Sequence, residues 1–338
     1  MSLAPHLLRI AEGHDLGADE ARQAFDAIFK GEVLPEQIAA FLLGLKGKGE
    51  TADEILGAAQ SMRHHMIPIK APEGAMDIVG TGGDTLSTLN ISSAVAFVVA
   101  ACDVPVAKHG NRAASSRSGS SDVLAALGVN LDASPLLLER CLAEANLCFL
   151  FAPKHHPAMK HVADVRRQLK TRTIFNLLGP LTNPANVKRH LIGVYASNWL
   201  EPMARVLGQL GSEAVWVTHG HDGMDEITTT APTDVVEMRK GRIDRFILEP
   251  EHVGLTRARI DVLKGGEAEH NATELKRLLQ GQRGTYRDIV LLNASAALVV
   301  ADKAEDLPHG MRRAEQAIDS GAARAVLEKL IAITNGQD

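Results

Sequence analysis

Met76-Asp77-Ile78-Val79-Gly80-Thr81-Gly82-Gly83-Asp84 is a short apolar run that ends in a glycine-rich turn. It reads as a strand delivering a loop of bare backbone amides at its carboxyl end. From this stretch onward, short β-type runs alternate with helical ones. Strands are expected at 77–79, 104–107, 148–151, 191–195 and 214–218, and helices at 90–101, 122–127, 135–145 and 200–211. Such alternation builds βαβ units, and so a mainly parallel central sheet flanked by helices. Ligands on such sheets gather at the carboxyl ends of the strands. Two further β-type runs, 235–238 and 245–248, flank a turn at Lys240-Gly241, and helices follow.

On the amino side the chain reads as helix. Ala21, Ala24, Phe25, Ile28 and Phe29 keep helical spacing up to Gly31. Pro35 opens a second stripe of Ile38, Phe41, Leu42 and Leu45, and Thr51-Ala52-Asp53-Glu54 is a capping box ahead of a third. Residues 153–186 carry few strand signals and read as helices and loops returning to this unit. The fold expected is α/β. A small all-helical N-terminal domain, 1–70, is joined by helices from about 155–187, and a larger α/β domain spans 71–338. A small unit with few aromatics has limited core of its own, so part of its surface is a candidate for pairing with a second subunit.

The 338 residues carry a net charge of −5, which supplies no global basic field, and no nucleic-acid partner is expected. The longest apolar run, 94–102, is far too short to span a bilayer, and the N-terminus lacks the charged and apolar regions of a signal peptide. Cys102, Cys141 and Cys148 sit in apolar contexts and form no C-x-x-C pair, which suits buried thiols in a reducing cytoplasm.

The glycine turn is not a P-loop, because no Gly-Lys-Ser/Thr ending follows. As a dinucleotide fingerprint it has Thr85 where a third small residue belongs, although Asp103 lies at a tolerable distance for a ribose contact. The remaining reading is a phosphate cradle. It would use the amides of Gly80 to Gly83, the hydroxyls of Thr88, Ser92 and Ser93, and the helix N-terminus near Asn90. Asp84 is odd beside phosphate unless it accepts from sugar hydroxyls or backbone amides, or reaches a metal through water.

A second segment, Lys108-His109-Gly110-Asn111-Arg112-Ala113-Ala114-Ser115-Ser116-Arg117-Ser118-Gly119-Ser120, adds cations and hydroxyls after another β-type run. A plain surface loop has no need for that density of small donors. In the third segment, His219-Gly220-His221-Asp222-Gly223-Met224-Asp225-Glu226, the H-x-H-D run could ligate zinc or iron, but no fourth ligand is near. The adjacent Asp225 and Glu226 suit Mg2+, which takes one or two carboxylates plus phosphate oxygens. Arg166 is a candidate for a ligand carboxylate if it faces the cleft, and His155 and His156 read as helix-capping residues.

Taken together, these stretches resemble the anthranilate phosphoribosyltransferase family over nearly the whole chain. Gly80 to Asp84, Asn90 to Ser93, Lys108 to Asp122, Phe149 to Pro184 and Gly223 to Thr228 stand in order at family-like spacing. Leu89, Ser93, Ser121 and Met224 stand where phenylalanine, threonine, alanine and leucine are usual. The resemblance implies phosphoribosyl pyrophosphate against Gly80, Gly82, Gly83, Asp84 and Thr88, the turn Asn90, Ile91, Ser92 and Ser93, and the segment Lys108, His109, Gly110, Asn111, Arg112, Ala113, Ala114, Ser115, Ser116 and Ser120. It implies anthranilate against Gly80, Asn111 and Arg166. It also implies two Mg2+ per subunit near Ser92 and near Asp225 with Glu226, a homodimer formed through the small domain, and a cytoplasmic enzyme. No general base is assigned, because an uncharged aromatic amine needs none before attack. An amidotransferase partner stays open. The rival readings are a pyrimidine nucleoside phosphorylase and a non-catalytic paralogue that binds another ligand or nucleic acid.

Overall fold

Strand β1, Met76–Gly80, lies inside a seven-stranded sheet of a computed structural model that describes residues 3–112 and 117–337. The other strands are β2 (Val106–Gly110), β3 (Leu147–Phe151), β4 (Arg189–Gly193), β5 (Ala214–Gly220), β6 (Thr233–Arg239) and β7 (Arg242–Leu248). Their order is β3-β2-β1-β4-β5-β6-β7. The first five run parallel, and β6 and β7 close the edge antiparallel. The chain steps outward from β1 to β3 and then returns to the other side of β1. That reversal opens a crevice at the carboxyl ends of β1 and β4.

Side-chain alternation explains why both faces are covered. On β5, Ala214 and Trp216 belong to one core while Val215 and Val217 belong to the other. Leu191 and Ile192 of β4 divide the same way. One face packs on helices Ile91–Ala100 and Thr285–Val300, and the other on helix Leu200–Gln209. The hairpin of β6 and β7 turns at Lys240 and Gly241, whose φ values of 50° and 83° are both left-handed, as a two-residue hairpin turn requires.

The N-terminal helices are Ala4–Ala11, Ala18–Phe29, Pro35–Lys48 and Ala52–His64. Thr51 Oγ1 accepts the Glu54 N–H at 3.3 Å and Glu54 Oε2 accepts the Thr51 N–H at 2.9 Å, which is the capping box read from sequence. Phe25 packs on Phe41 and Phe175 with ring centres 5.5 and 5.7 Å apart. Phe175 lies in helix Phe175–Leu178, so the segment after β3 does return to the helical unit, as does helix Lys160–Leu169.

Several boundaries differ from the expected ones. β2 starts two residues later than expected and runs on through Lys108-His109-Gly110, because buried partners accommodate these polar residues. β4 spans Arg189–Gly193 rather than 191–195, and the backbone of Asp225 lies against its last residue, Gly193. Helix Ser120–Ala126 starts two residues before the expected 122, at its cap Gly119. All three cysteines are buried and unpaired, and burial pushes each thiol up. Among the described residues, no helix is long and apolar enough to cross a membrane.

Candidate active site

The three segments singled out in the sequence leave the carboxyl ends of β1, β2 and β5; two of them meet at Ser92 in the first turn of helix Ile91–Ala100, and the glycine segment joins them through Asp225. The Ser92 backbone N–H donates to Glu226 Oε1 at 3.1 Å, and its Oγ accepts from Lys108 Nζ at 3.1 Å. Asp225 reaches the glycine loop, where its Oδ2 accepts the Gly82 N–H at 2.7 Å. The helix turn therefore holds a cation and one carboxylate, and the neighbouring carboxylate ties the glycine loop to them.

Small residues make this approach possible. A Cβ on Gly80 would collide with the Asp225 carboxylate, and a Cβ on Gly193 with the Asp225 carbonyl. Beyond Gly80 the backbone takes left-handed φ values at Gly82, Gly83, Thr85 and Ser87 (68°, 85°, 64° and 52°). This curls the amides into a concave loop suited to an anion. Arg172 donates to the Gly83 carbonyl and stacks 4.4 Å over the Tyr195 ring, which pins the loop from outside.

The carboxylates crowd one another. Burial and the nearby Asp84 charge push Asp225 up to about 7. Burial and the Asp225 charge push Glu226 up to about 8, against the pull of Lys108. Burial also raises Asp84, whose Oδ1 accepts the Leu86 N–H at 3.2 Å. Lys108 is lowered by burial, with Asp77, Glu226 and Asp225 acting the other way. Among the described residues, no group of three or more His, Cys, Asp or Glu is arranged to hold a metal ion alone. Mg2+ asks for less, because one or two carboxylates suffice when water and phosphate oxygens complete its shell. Crowded carboxyls held above their ordinary range, next to an anion cradle, fit that cation.

The rest of the cradle is distributed unevenly. Thr88 forms an isolated bridge with Lys264. Asn90 caps the helix, and its Oδ1 accepts from Asn271 Nδ2 at 2.9 Å. Ile91 and Ser93 are buried, and the Ser93 hydroxyl meets no hydrogen-bond partner among the described residues. It lies in the interior rather than beside the amides, as does the equally unpartnered hydroxyl of Ser121. His109 also turns inward, with Nδ1 3.0 Å from the Gly179 carbonyl and Nε2 3.2 Å from His156 Nε2. Gly110 lies under Ser120 Oγ and the Phe149 ring, and Ser120 Oγ donates to the Asn111 carbonyl at 3.3 Å. Asn111 Oδ1 accepts the Arg112 N–H at 2.8 Å, and Arg112 stands 5.9 Å from the Phe151 ring centre. Ala113, Ala114, Ser115 and Ser116 lie outside the described residues.

Arg166 stands 5.4 Å from the Phe175 ring centre and has no carboxylate partner among the described residues. Burial lowers its guanidinium from the ordinary arginine range. A half-buried cation without a protein anion suits a ligand carboxylate. His155 and His156 do not cap a helix with their rings. His155 Nδ1 lies 2.9 Å from the Ile67 carbonyl, and His156 pairs with His109, because both imidazoles are drawn into a buried junction. The H-x-H-D run is divided between separate tasks. His219 Nδ1 lies 2.8 Å from the Val194 carbonyl, His221 lies 3.1 Å from Asp234, and Asp222 accepts from Met224 N and Thr228 Oγ1 at 3.1 and 2.7 Å.

The sequence reading assigned no role to Asp77, Asn183, Asn271 or Arg172. A carboxylate in the apolar run of β1 was a signal for the first. Asn271 lies a few residues beyond the turn Lys264-Gly265-Gly266, and Gly266 N–H donates to its Oδ1 at 2.7 Å.

Comparison with known proteins gives the same answer along nearly the whole chain. A family model described as glycosyl transferase family, a/b domain, matches residues 72–324, and one described as glycosyl transferase family, helical bundle domain, matches 4–66. The chain is 55% identical over 328 residues to an anthranilate phosphoribosyltransferase of Rhodopseudomonas palustris (strain HaA2), covering 97% of each. It is similar to the crystal structure of anthranilate phosphoribosyltransferase from Thermus thermophilus, with a TM-score of 0.93, 43% identity, and coverage of 98% of this chain and 99% of that one. It also resembles the Saccharomyces cerevisiae anthranilate phosphoribosyltransferase in complex with PRPP and Mg, with a TM-score of 0.91, 25% identity, and coverage of 98% of each. With both family models matched in order and over half of the residues shared along nearly its full length, the chain belongs to the anthranilate phosphoribosyltransferase family.

Proposed function

We propose that the chain transfers the 5-phosphoribosyl group of phosphoribosyl pyrophosphate to the amine of anthranilate, giving N-(5-phosphoribosyl)anthranilate and pyrophosphate in tryptophan biosynthesis. The observation that carries this reading is the meeting of the three loops around one helix start, with Lys108 on the Ser92 hydroxyl, Glu226 on its amide and Asp225 on the Gly82 amide. The printed names of the relatives support it.

The anthranilate nitrogen attacks the anomeric carbon, the bond from that carbon to the diphosphate oxygen breaks, and pyrophosphate leaves. The nitrogen then loses its proton to solvent. Negative charge grows on the leaving group, so fixed cations and amides there lower the barrier. Lys108 and the Gly83 N–H fill that role, since the Thr81 N–H donates to the Gly193 carbonyl and the Gly82 N–H to Asp225, with Thr88, Asn90 and Ser120 at the rim. Asp84 accepts from the sugar hydroxyls. Asp225, Glu226 and Ser92 are the residues that would hold Mg2+, two ions per subunit, and when bound the metal neutralises charge on the diphosphate. Arg166 and Asn111 orient the acceptor, which is a proximity contribution. The helical unit 1–70 mates two subunits, and the enzyme works in the cytoplasm.

Mass analysis of the mixture of protein, Mg2+, donor and anthranilate tests the reaction. The phosphoribosylated acceptor and free pyrophosphate are expected. Phosphorolysis of thymidine or uridine by the same protein, with no such product, would transfer the reading to a nucleoside phosphorylase.

A further inference from the structure

β1 meets β2 in register at a single pair, Met76 with Val106, although β1 matches β4 over five pairs and β2 matches β3 over five. Past that pair, side chains bridge the two strands. Asp77 Oδ1 accepts the His109 N–H at 3.1 Å, and its Oδ2 accepts from Asn183 Nδ2 at 2.7 Å. Asn183 Nδ2 also donates to the Ala107 carbonyl at 2.7 Å, while its Oδ1 accepts the Ala185 N–H at 2.8 Å. Lys108 Nζ crosses in the other direction, donating to the Ile78 carbonyl at 2.6 Å and to Ser92 Oγ. Asp77, Lys108 and Asn183 are all buried.

A regular parallel ladder needs none of these groups. A buried carboxylate is costly unless hydrogen bonds and an opposite charge compensate it, and apolar residues would stabilise the fold as well. Here the compensation is partial, since burial still pushes Asp77 up to about 6 against the pull of Lys108 and its hydrogen bonds. Both Asp77 oxygens are engaged, and the opposite charge that acts on it is that of Lys108. The gap in the ladder gives the Lys108 ammonium its seat, between the buried carbonyl of Ile78 and the first turn of the helix at Ser92.

We infer that Asp77 is a positioning residue of the donor site. Together with Asn183 it holds β1 and β2 apart and fixes the Lys108 ammonium at Ser92, where the diphosphate is received. The inference rests on the donor reading proposed above. Asp77 touches no reacting atom and acts through Lys108 alone.

The test is donor affinity in a four-protein cycle of full-length chains: parent, Asp77→Asn, Lys108→Met and the double variant. Binding of phosphoribosyl pyrophosphate with Mg2+ is measured by calorimetry, alongside both Michaelis constants. An amide at 77 cannot accept both N–H groups, so Asp77→Asn is expected to weaken donor binding about tenfold, the scale of coupling between contacting groups. The Michaelis constant for anthranilate should stay within about twofold. In the Lys108→Met background the same change should cost nothing further. An equal loss in both backgrounds, or a lowered melting temperature with unchanged donor affinity, would overturn the inference.

If Asp77→Asn does not fold, the exchange Asp77→Asn with Asn183→Asp restores the amide–carboxylate hydrogen bond while moving the charge away from Lys108, at the cost of the bond from residue 183 to the Ala107 carbonyl. Folded protein with weak donor binding is then expected. Parent-like affinity in the exchanged protein, or failure of both to fold, would assign the pair to the fold alone. Parent protein that binds the donor without turning over anthranilate would overturn the acceptor reading and leave this test intact. Parent protein that binds no donor would bring down both.

Discussion

Asp225 accepts the backbone N–H of Gly82 at 2.7 Å across 143 residues of sequence. That one contact sets the acidic pair of the β5 loop against the glycine loop of β1. It also explains why Gly80 and Gly193 carry no side chain, since a Cβ on either would overlap Asp225.

Gly193→Ala should therefore destabilise the protein by about 1–3 kcal/mol, the usual cost of forcing a methyl group into a packed site. Because the methyl meets backbone, the acidic pair must shift, and the Mg2+ concentration for half-maximal turnover should rise. Denaturant unfolding and a Mg2+ titration check the two effects, and a variant with parent values in both would show that Asp225 is not held as described.

Replacing Asp225 and Glu226 together by Asn and Gln removes two crowded buried carboxyls. Turnover at limiting Mg2+ should fall about a hundredfold or more, in line with loss of transition-state charge stabilisation. The folded protein should not be less stable, because the repulsion among Asp84, Asp225 and Glu226 is relieved. An unchanged Mg2+ dependence of turnover would remove both residues from the metal site.

Arg166 stands over Phe175 without an anionic partner among the described residues. Arg166→Ala should raise the Michaelis constant for anthranilate by about tenfold or more, as expected for loss of a charged hydrogen bond, and that for the donor by much less. Steady-state kinetics with each substrate varied in turn decides it, and the reverse pattern would place the acceptor elsewhere.

Much of this was legible before any coordinates. The alternation of short apolar runs and helical stripes is local chemistry, and it located the strands and helices to within a few residues. Thr51 with Glu54 and Lys240 with Gly241 carried their cap and turn in the residues themselves. The three loops were legible because small residues and charges rarely cluster without a ligand. What was not legible depends on tertiary distance. Nothing local says that Ser93 faces the interior while Ser92 faces the cleft, because a helix start one residue earlier would put Ser92 in the place of Ser93. Nor could sequence pair His156 with His109, or Asn183 with Asp77, which meet across 47 and 106 residues.

Stability should depend on pH through the interior histidines. Burial lowers His190 to about 3, His109 to about 4 and His156 to about 2, from an ordinary value of 6.5. Below about 6.5 the unfolded chain binds protons at these rings that the folded chain refuses, so their share of the stability falls as pH drops from there toward 4, against an opposite share from Asp225 and Glu226, which take up protons in the folded chain over the same window. Each group contributes on the order of 1 kcal/mol per pH unit across that window. Denaturant unfolding at pH 7 and pH 5 measures the slope, and His190→Gln should reduce it by one group's share. Identical slopes for the parent and His190→Gln would contradict the buried neutral state of this ring.

The most direct test of the whole account follows anthranilate fluorescence after addition of phosphoribosyl pyrophosphate, with and without Mg2+. The account predicts a loss of signal that requires both the donor and the metal. A flat trace from folded protein under all conditions would contradict it.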